Sequence, residues 1–265
     1  MKEINMKKIA LWILSAFLIC GCSQQSSKKE EEPAPEETET PAAQETEDPA
    51  EAAVFDPRPD AVSKVRKQEW GICWAMAGIS TMESALIRQG YTDNQFQLST
   101  EDLLWWANVN DEGGWNSRRR SDGGYTYMCS GYLTTRGVRS LADIPDLGPA
   151  EEDDAESDYY GQGINQRPEK YDTAPELYEA DGIAFYPHPA REEIKEAIAK
   201  YGAVSTGYWE SPDYLNEEKS CVWHPYEPDS GTNHNISVVG WDDTFSKDNF
   251  IPSLMAESRN MTAHG

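Results

Sequence analysis

The residues with the most chemical content lie in the run Val65-Arg66-Lys67-Gln68-Glu69-Trp70-Gly71-Ile72-Cys73-Trp74-Ala75-Met76-Ala77. A helical pattern begins at the cysteine. A thiol on the first turn of a helix faces unpaired N–H groups and the positive end of the macrodipole, which favour the thiolate, its nucleophilic form. Gly71 allows a tight turn just ahead of it. The Cys73 N–H and the Gln68 carboxamide are then candidates to hold a developing oxyanion, the electrostatic half of acyl transfer. A thiolate of this kind needs a base that becomes an acid when the leaving group departs. Of the four histidines, His188 lies between two prolines, His264 is next to the last residue and His224 follows Trp223 in a loop-like stretch. His234 sits in Gly231-Thr232-Asn233-His234-Asn235-Ile236-Ser237-Val238-Val239-Gly240-Trp241, at the mouth of a strand-like run, where a rigid element can aim its ring. A cysteine on an apolar helix face is commonly just a buried thiol, but Gly71 before it and Trp74-Ala75 after it favour the nucleophile.

Positioning such a pair requires elements that the pattern supplies. Ala75, Ile79, Met82 and Leu86 recur at helical spacing, so a helix is predicted from Cys73 to Arg88, with Gly90 able to end it. Ser99 can cap a second helix, with Asp102 three residues on and Leu103, Leu104 and Trp105 following. A third is predicted from about Arg191 to Tyr201, with Gly202 as its stop. Strand-like runs follow at Ala203-Val204-Ser205-Thr206 and Ile236-Ser237-Val238-Val239. Helices lead and strands follow, which predicts an α+β arrangement of a helical lobe and then a sheet-bearing lobe.

The first fifty or so residues have a different texture. Lys7 and Lys8 precede twelve largely apolar residues, Ile9 to Cys20, too short to span a bilayer comfortably. The run Leu18-Ile19-Cys20-Gly21-Cys22-Ser23 resembles a bacterial lipobox, which implies a signal peptide over residues 1–21 and a lipid-modified Cys22. Residues 22–54 are rich in Glu, Pro, Thr and Ala and contain no aromatic residue, so they are expected to be a disordered acidic tether. The remaining residues, 55–265, number about 210, enough for one mid-sized domain or two lobes. A net charge of -24 repels phosphate backbones, so nucleic acid is excluded as an expected partner. No cluster has zinc or calcium ligand spacing, and no metal or cofactor is expected. Tryptophans such as Trp105, Trp106, Trp115, Trp209 and Trp223 are expected to pack cores rather than form a sugar-binding face. Cys129 and Cys221 could pair with each other or both stay reduced.

Gln-x-x-Gly-x-Cys-Trp-Ala followed by Asn-His-x-x-x-Val-Val-Gly-Trp resembles the cysteine and histidine motifs of papain-like cysteine peptidases, in particular the bacterial surface-associated branch. Phe55-Asp56-Pro57-Arg58 is similar to that family's mature start, and Leu98-Ser99 to the beginning of its second helix. The pair Gly123-Gly124 is similar to the glycines that hold the substrate backbone. The resemblance covers about residues 55 to 250. It implies a papain-like two-lobe fold with a cleft between the helical lobe and an antiparallel β lobe. It also implies Cys73 as nucleophile, His234 as base, Gln68 at the oxyanion, and peptide or protein substrates met outside the cell. Three departures stand out. Gln68 is five residues before Cys73 where the family has six, Trp70 replaces a disulfide cysteine, and no Asn-Ser-Trp-Gly motif follows. The domain is therefore expected to be C-terminally truncated, with an incomplete β lobe. The rival expectation is a catalytically inactive surface protein retained for binding.

Overall fold

The structure, a computed structural model, describes residues 7–9, 15–16, 49–69, 71–109, 123–146, 167–211, 215–216, 221–222 and 231–245. In chain order the elements are β1 (Lys7–Ile9), β2 (Ser15–Ala16), β3 (Val54–Phe55), α1 (Arg58–Ala61), α2 (Cys73–Arg88), α3 (Thr100–Leu104) and α4 (Thr126–Leu133). There follow β4 (Tyr178–Ala180), α5 (Arg191–Tyr201), β5 (Val204–Tyr208), β6 (Leu215–Asn216), β7 (Cys221–Val222), β8 (His234–Val238) and β9 (Trp241–Asp242). A 3-10 turn at Pro49–Glu51 precedes β3, and a π-helical turn, Trp105–Val109, continues α3.

α2 runs where periodicity places it, and eleven of its sixteen residues are buried, more than one face of a helix can supply. It therefore crosses the middle of the domain, with α3 and α4 on one side and β5 and β8 on another. Its polar residues are satisfied locally: Thr81 donates to Ala77 O at 2.8 Å and Ser84 to Ser80 O at 2.9 Å. The larger core joins Trp74, Ile79, Met82 and Leu86 of α2 to Leu103, Leu104, Met128, Tyr132 and Leu133. A smaller one joins Ala197 and Ile198 of α5 to Val204, with Phe55, Val238 and Trp241 packed against it.

The expected cap forms, with Ser99 Oγ accepting from Asp102 N at 3.0 Å. Asp102 itself is fully buried, where it accepts from Tyr132 Oη at 2.5 Å and from Arg139 Nη1 at 2.9 Å. α5 occupies Arg191–Tyr201 as expected, and Glu193 accepts from Ala190 N at 2.7 Å to close its first turn. In the main sheet β5 pairs antiparallel with β8, from Val204↔Val238 to Tyr208↔His234, and β2 pairs parallel with β5. β1 pairs parallel with β4, β3 antiparallel with β9, and β6 antiparallel with β7.

Both principal strands are displaced from the sequence expectation, β5 ending at Tyr208 rather than Thr206 and β8 starting at His234 rather than Ile236. Cross-strand pairing, absent from any single run of sequence, sets those ends. α4 was not expected at all. Its sequence, TYMCSGYL, is poor in strong helix formers, and burial of Met128, Cys129, Tyr132 and Leu133 overrides that preference.

α4 approaches α2 closely at Gly78, where an added Cβ would lie 2.4 Å from Cys129 Sγ. Gly78→Ala is expected to lower unfolding free energy by about 1–3 kcal/mol despite the better helix propensity of alanine. Urea unfolding followed by tryptophan fluorescence measures this; an unchanged or raised midpoint would show that Cys129 can give way.

Candidate active site

Cys73 is the first residue of α2, and the residue before it, Ile72, has no side-chain oxygen to cap the helix. The positive end of α2 is thus left facing the thiol and the space beyond it. That space is a cavity of about 750 Å³. Cys73, Met76, Ala77 and Ser80 line it from α2, Gln68 from the preceding strip, and His234 and Asn235 from β8. The expected nucleophile, base and oxyanion side chain therefore share one cavity. Gln68 is exposed at its edge.

Strand alternation explains how β8 meets α2. Asn235 and Ser237 share the face toward the helix. Asn235 Nδ2 lies 3.8 Å from Cys73 Sγ, and its Oδ1 accepts from Thr126 Oγ1 at 3.2 Å. Ser237 Oγ lies 2.5 Å from Thr81 Oγ1 and donates to Ala77 O at 3.3 Å. These contacts fix the start of β8 against the start of α2. The ring of His234 packs edge-on against Tyr208 at 5.6 Å, and its Nδ1 lies 3.7 Å from Glu210 Oε2.

The two glycines play distinct parts. Gly123 adopts φ 74°, a left-handed conformation that favours glycine. At Gly124 a Cβ would come within 2.4 Å of the Trp74 ring, so the strip lies flat on the residue after Cys73. Cys129 is buried and unbridged, which removes the pairing with Cys221 as an alternative, and its Sγ donates to Trp74 O at 3.1 Å. Burial pushes its thiol far above the ordinary range. Cys22, Trp70, Trp115 and Trp223 lie outside the described residues. Trp106 is buried against Tyr132, and Trp209 is exposed. Among the described residues no group of three or more His, Cys, Asp or Glu is arranged to hold a metal ion.

Sequence reasoning did not identify Thr126, Asn235 or Glu210. Asn235 carried a signal in its place one residue after His234, but its facing toward Cys73 follows only from the strand's orientation. Glu210 carried none, because its approach to His234 depends on the β5–β8 register.

A helical body around α2, an antiparallel sheet packed on it and a cavity opening at the helix start make up the papain-like α+β fold. Residues 52–253 match the profile described as "Papain family cysteine protease", and the chain belongs to that family. Similar solved structures include the clostridial cysteine protease Cwp84 after propeptide cleavage, at 28% identity and a TM-score of 0.60, covering 76% of this chain and 47% of that one. A structure concerning the mite allergens Blo t 1 and Der p 1 matches at 19% identity and a TM-score of 0.53, over 72% of this chain and 56% of that one. A procathepsin B from Trypanosoma congolense matches at 16% identity and a TM-score of 0.52, over 76% and 67%. This chain spans about half the length of the clostridial protein. No curated protein matches it.

The contrast between the two described thiols is directly measurable. Iodoacetamide at about pH 8 is expected to modify Cys73 and leave Cys129 as the neutral, inaccessible thiol, as read by peptide mapping of the folded protein. Equal modification of both would show that α4 opens readily.

Proposed function

We propose that the protein is an extracytoplasmic, lipid-anchored cysteine endopeptidase working through a Cys73–His234 dyad. The observation that carries the reading is the meeting of the two motifs on one cavity, with the carboxamide beside His234 only 3.8 Å from the Cys73 sulfur. Family membership and the uncapped start of α2 support the same chemistry. Thiolate Cys73 adds to the carbonyl carbon of a peptide bond, and the oxyanion is held by the Cys73 N–H and Gln68. The C–N bond breaks as His234 delivers its proton to the leaving amine. His234 then takes a proton from water as its oxygen attacks the thioester carbon; the C–S bond breaks, the carboxylic acid leaves, and thiolate Cys73 and protonated His234 are restored.

Location follows from the leader. Lys7-Lys8, the apolar run to Cys20 and the Gly21-Cys22 pair support cleavage before Cys22 and a lipid anchor there. The tether expected over residues 22–54 is shortened to residues 22–48, because the turn at Pro49–Glu51 and the pairing of Val54 with Asp242 already belong to the folded domain. No helix among the described residues is long and apolar enough to cross a membrane.

An epoxysuccinyl peptide is expected to label wild type, and neither Cys73→Ala nor His234→Ala, with folding of each variant checked by circular dichroism. A folded wild type that resists labelling would instead assign the chain to the inactive, binding-only reading. Separately, Cys22→Ala is expected to move the protein from the detergent phase to the aqueous phase on Triton X-114 partition. Its retention in detergent would rule out anchoring through Cys22.

A further inference from the structure

A hydrogen-bond donor from β8 reaches the Cys73 thiol and is itself held by α4. Asn235 Nδ2 donates to Cys73 Sγ at 3.8 Å, and Asn235 Oδ1 accepts from Thr126 Oγ1 at 3.2 Å. A thiolate only accepts hydrogen bonds, so this orientation of the carboxamide is the one that serves both neighbours. Thr126 is a firm anchor. It is buried in the first turn of α4, and further along that helix Cys129 Sγ donates at 3.1 Å to Trp74 O, on the residue that follows Cys73. A closed circuit results, running from Cys73 through Trp74, Cys129 and Thr126 to Asn235 and back to the sulfur. The contacts of Ser237 with Ala77 O and Thr81 hold β8 at the matching height along α2.

We propose that Asn235 is a thiolate-holding residue of the site, its carboxamide N–H donating to the charged Cys73 sulfur while Thr126 keeps the carboxamide turned that way. For its part in peptide hydrolysis the inference rests on Cys73 being the nucleophile, but the contact itself does not depend on His234. A hydrogen bond donated to the charged form of an acid favours that form. The uncapped start of α2 acts on the sulfur in the same sense. Water can solvate a thiolate in an open cavity, but a peptide lying over Cys73 displaces it, and a donor fixed by the fold remains. As the sulfur adds to a carbonyl carbon its charge passes to oxygen, so the contact is strongest before the reaction begins. Asn235 therefore governs how much of Cys73 is thiolate, not how fast a given thiolate reacts. The charged and titratable groups that share the cavity with Cys73 are His234 on β8, Glu83 on α2, and Arg58, Lys64 and Arg66 ahead of α2, with Cys129 buried on α4. With a separation of 3.8 Å and both residues partly exposed, the contact is worth severalfold in thiolate population rather than the tenfold or more of a short buried bond.

The test uses the purified chain as wild type, Asn235→Ala, Asn235→Leu and Thr126→Val, with modification of Cys73 followed by peptide mapping. Iodoacetamide is the probe: the thiolate sulfur displaces iodide, the C–S bond forming as the C–I bond breaks, and no general acid is needed. On the acid limb of its rate profile, where the rate still rises with pH, Asn235→Ala is expected to react about fivefold slower than wild type. Asn235→Leu, nearly the same shape without a donor, should lose at least as much, and Thr126→Val about twofold. On the alkaline plateau, where the thiol is ionised in every variant, all rates are expected to agree within about twofold, which loss of a merely structural contact would not produce. An acid limb unmoved in both Asn235 variants, or a loss of the same size on limb and plateau, overturns the proposal. An acid limb unmoved in Thr126→Val strikes out its anchoring half. Asn235→Ala made in a His234→Ala background should show the same acid-limb loss, and its disappearance there would overturn the direct contact by showing that Asn235 acts through His234. A folded wild type that resists the epoxysuccinyl peptide yet keeps the acid-limb difference would sink the dyad reading and leave the hold of Asn235 on the sulfur standing.

Discussion

The carboxylate of Glu83 is buried on α2 at 1% exposure and is shared by three segments of the chain. It accepts from the Ser63 hydroxyl, from Leu98 N at 2.6 Å and from Arg66 Nη2 at 3.4 Å. Arg66 also donates to Leu98 O at 3.0 Å and pairs with Asp146 at 3.0 Å, and Asp146 in turn accepts from Thr100 N at 3.0 Å. Burial pushes the Glu83 carboxyl above its ordinary range, while Arg66 and the hydrogen bonds from Ser63 and Leu98 act in the opposite sense. Such a network adds little net stability over an apolar core, yet breaking a buried ion pair costs about 3–5 kcal/mol because a charge is left unmatched. Residues 62–66 and Gln68 form one wall of the cavity. Glu83 thus ties that wall, at depth, to the helix that carries Cys73.

Between the two apolar clusters runs a polar seam. Thr81 meets Ser237, Asn235 bridges Thr126 and the Cys73 sulfur, and Arg88 Nε donates to Ala199 O at 2.9 Å. Apolar packing alone is tolerant of sliding, whereas hydrogen bonds in a low-dielectric interior require one arrangement. The seam therefore sets the height of β8 along α2, and with it the height of the histidine relative to the thiol. A slip of one residue would turn Asn235 and Ser237 to the far face and break every bond that β8 makes in the seam.

The features legible in the sequence were those encoded within one element. α2 announced itself through Ala75, Ile79, Met82 and Leu86, α3 through Ser99 and α5 through its apolar stripe and Gly202. That Cys73 and His234 would line one cavity was legible because their local contexts are distinctive. What escaped notice depends on contacts between distant elements: α4, whose helix forms because of burial, the three-residue β4, and the true limits of β5 and β8. Glu210 and Asn235 belong to the same group. Each is an ordinary polar residue in its own run, and only the pairing of two strands or the packing of strand on helix gives it a neighbour of consequence.

Two stretches far apart in the chain are sewn together. Val54 and Phe55 pair with Asp242 and Trp241, Phe55 stacks on Trp241 with centroids 4.8 Å apart, and Trp241 Nε1 donates to Ala52 O across 189 residues of chain. During synthesis, then, β3 waits unpaired until Trp241 and Asp242 have been added. Closing so long a loop is entropically slow, and meanwhile Phe55 lacks the partner that covers it. A chain made from its N-terminus therefore carries this seam open long after α2 has been made, and a stretch laid down early is kept in suspense by one laid down late.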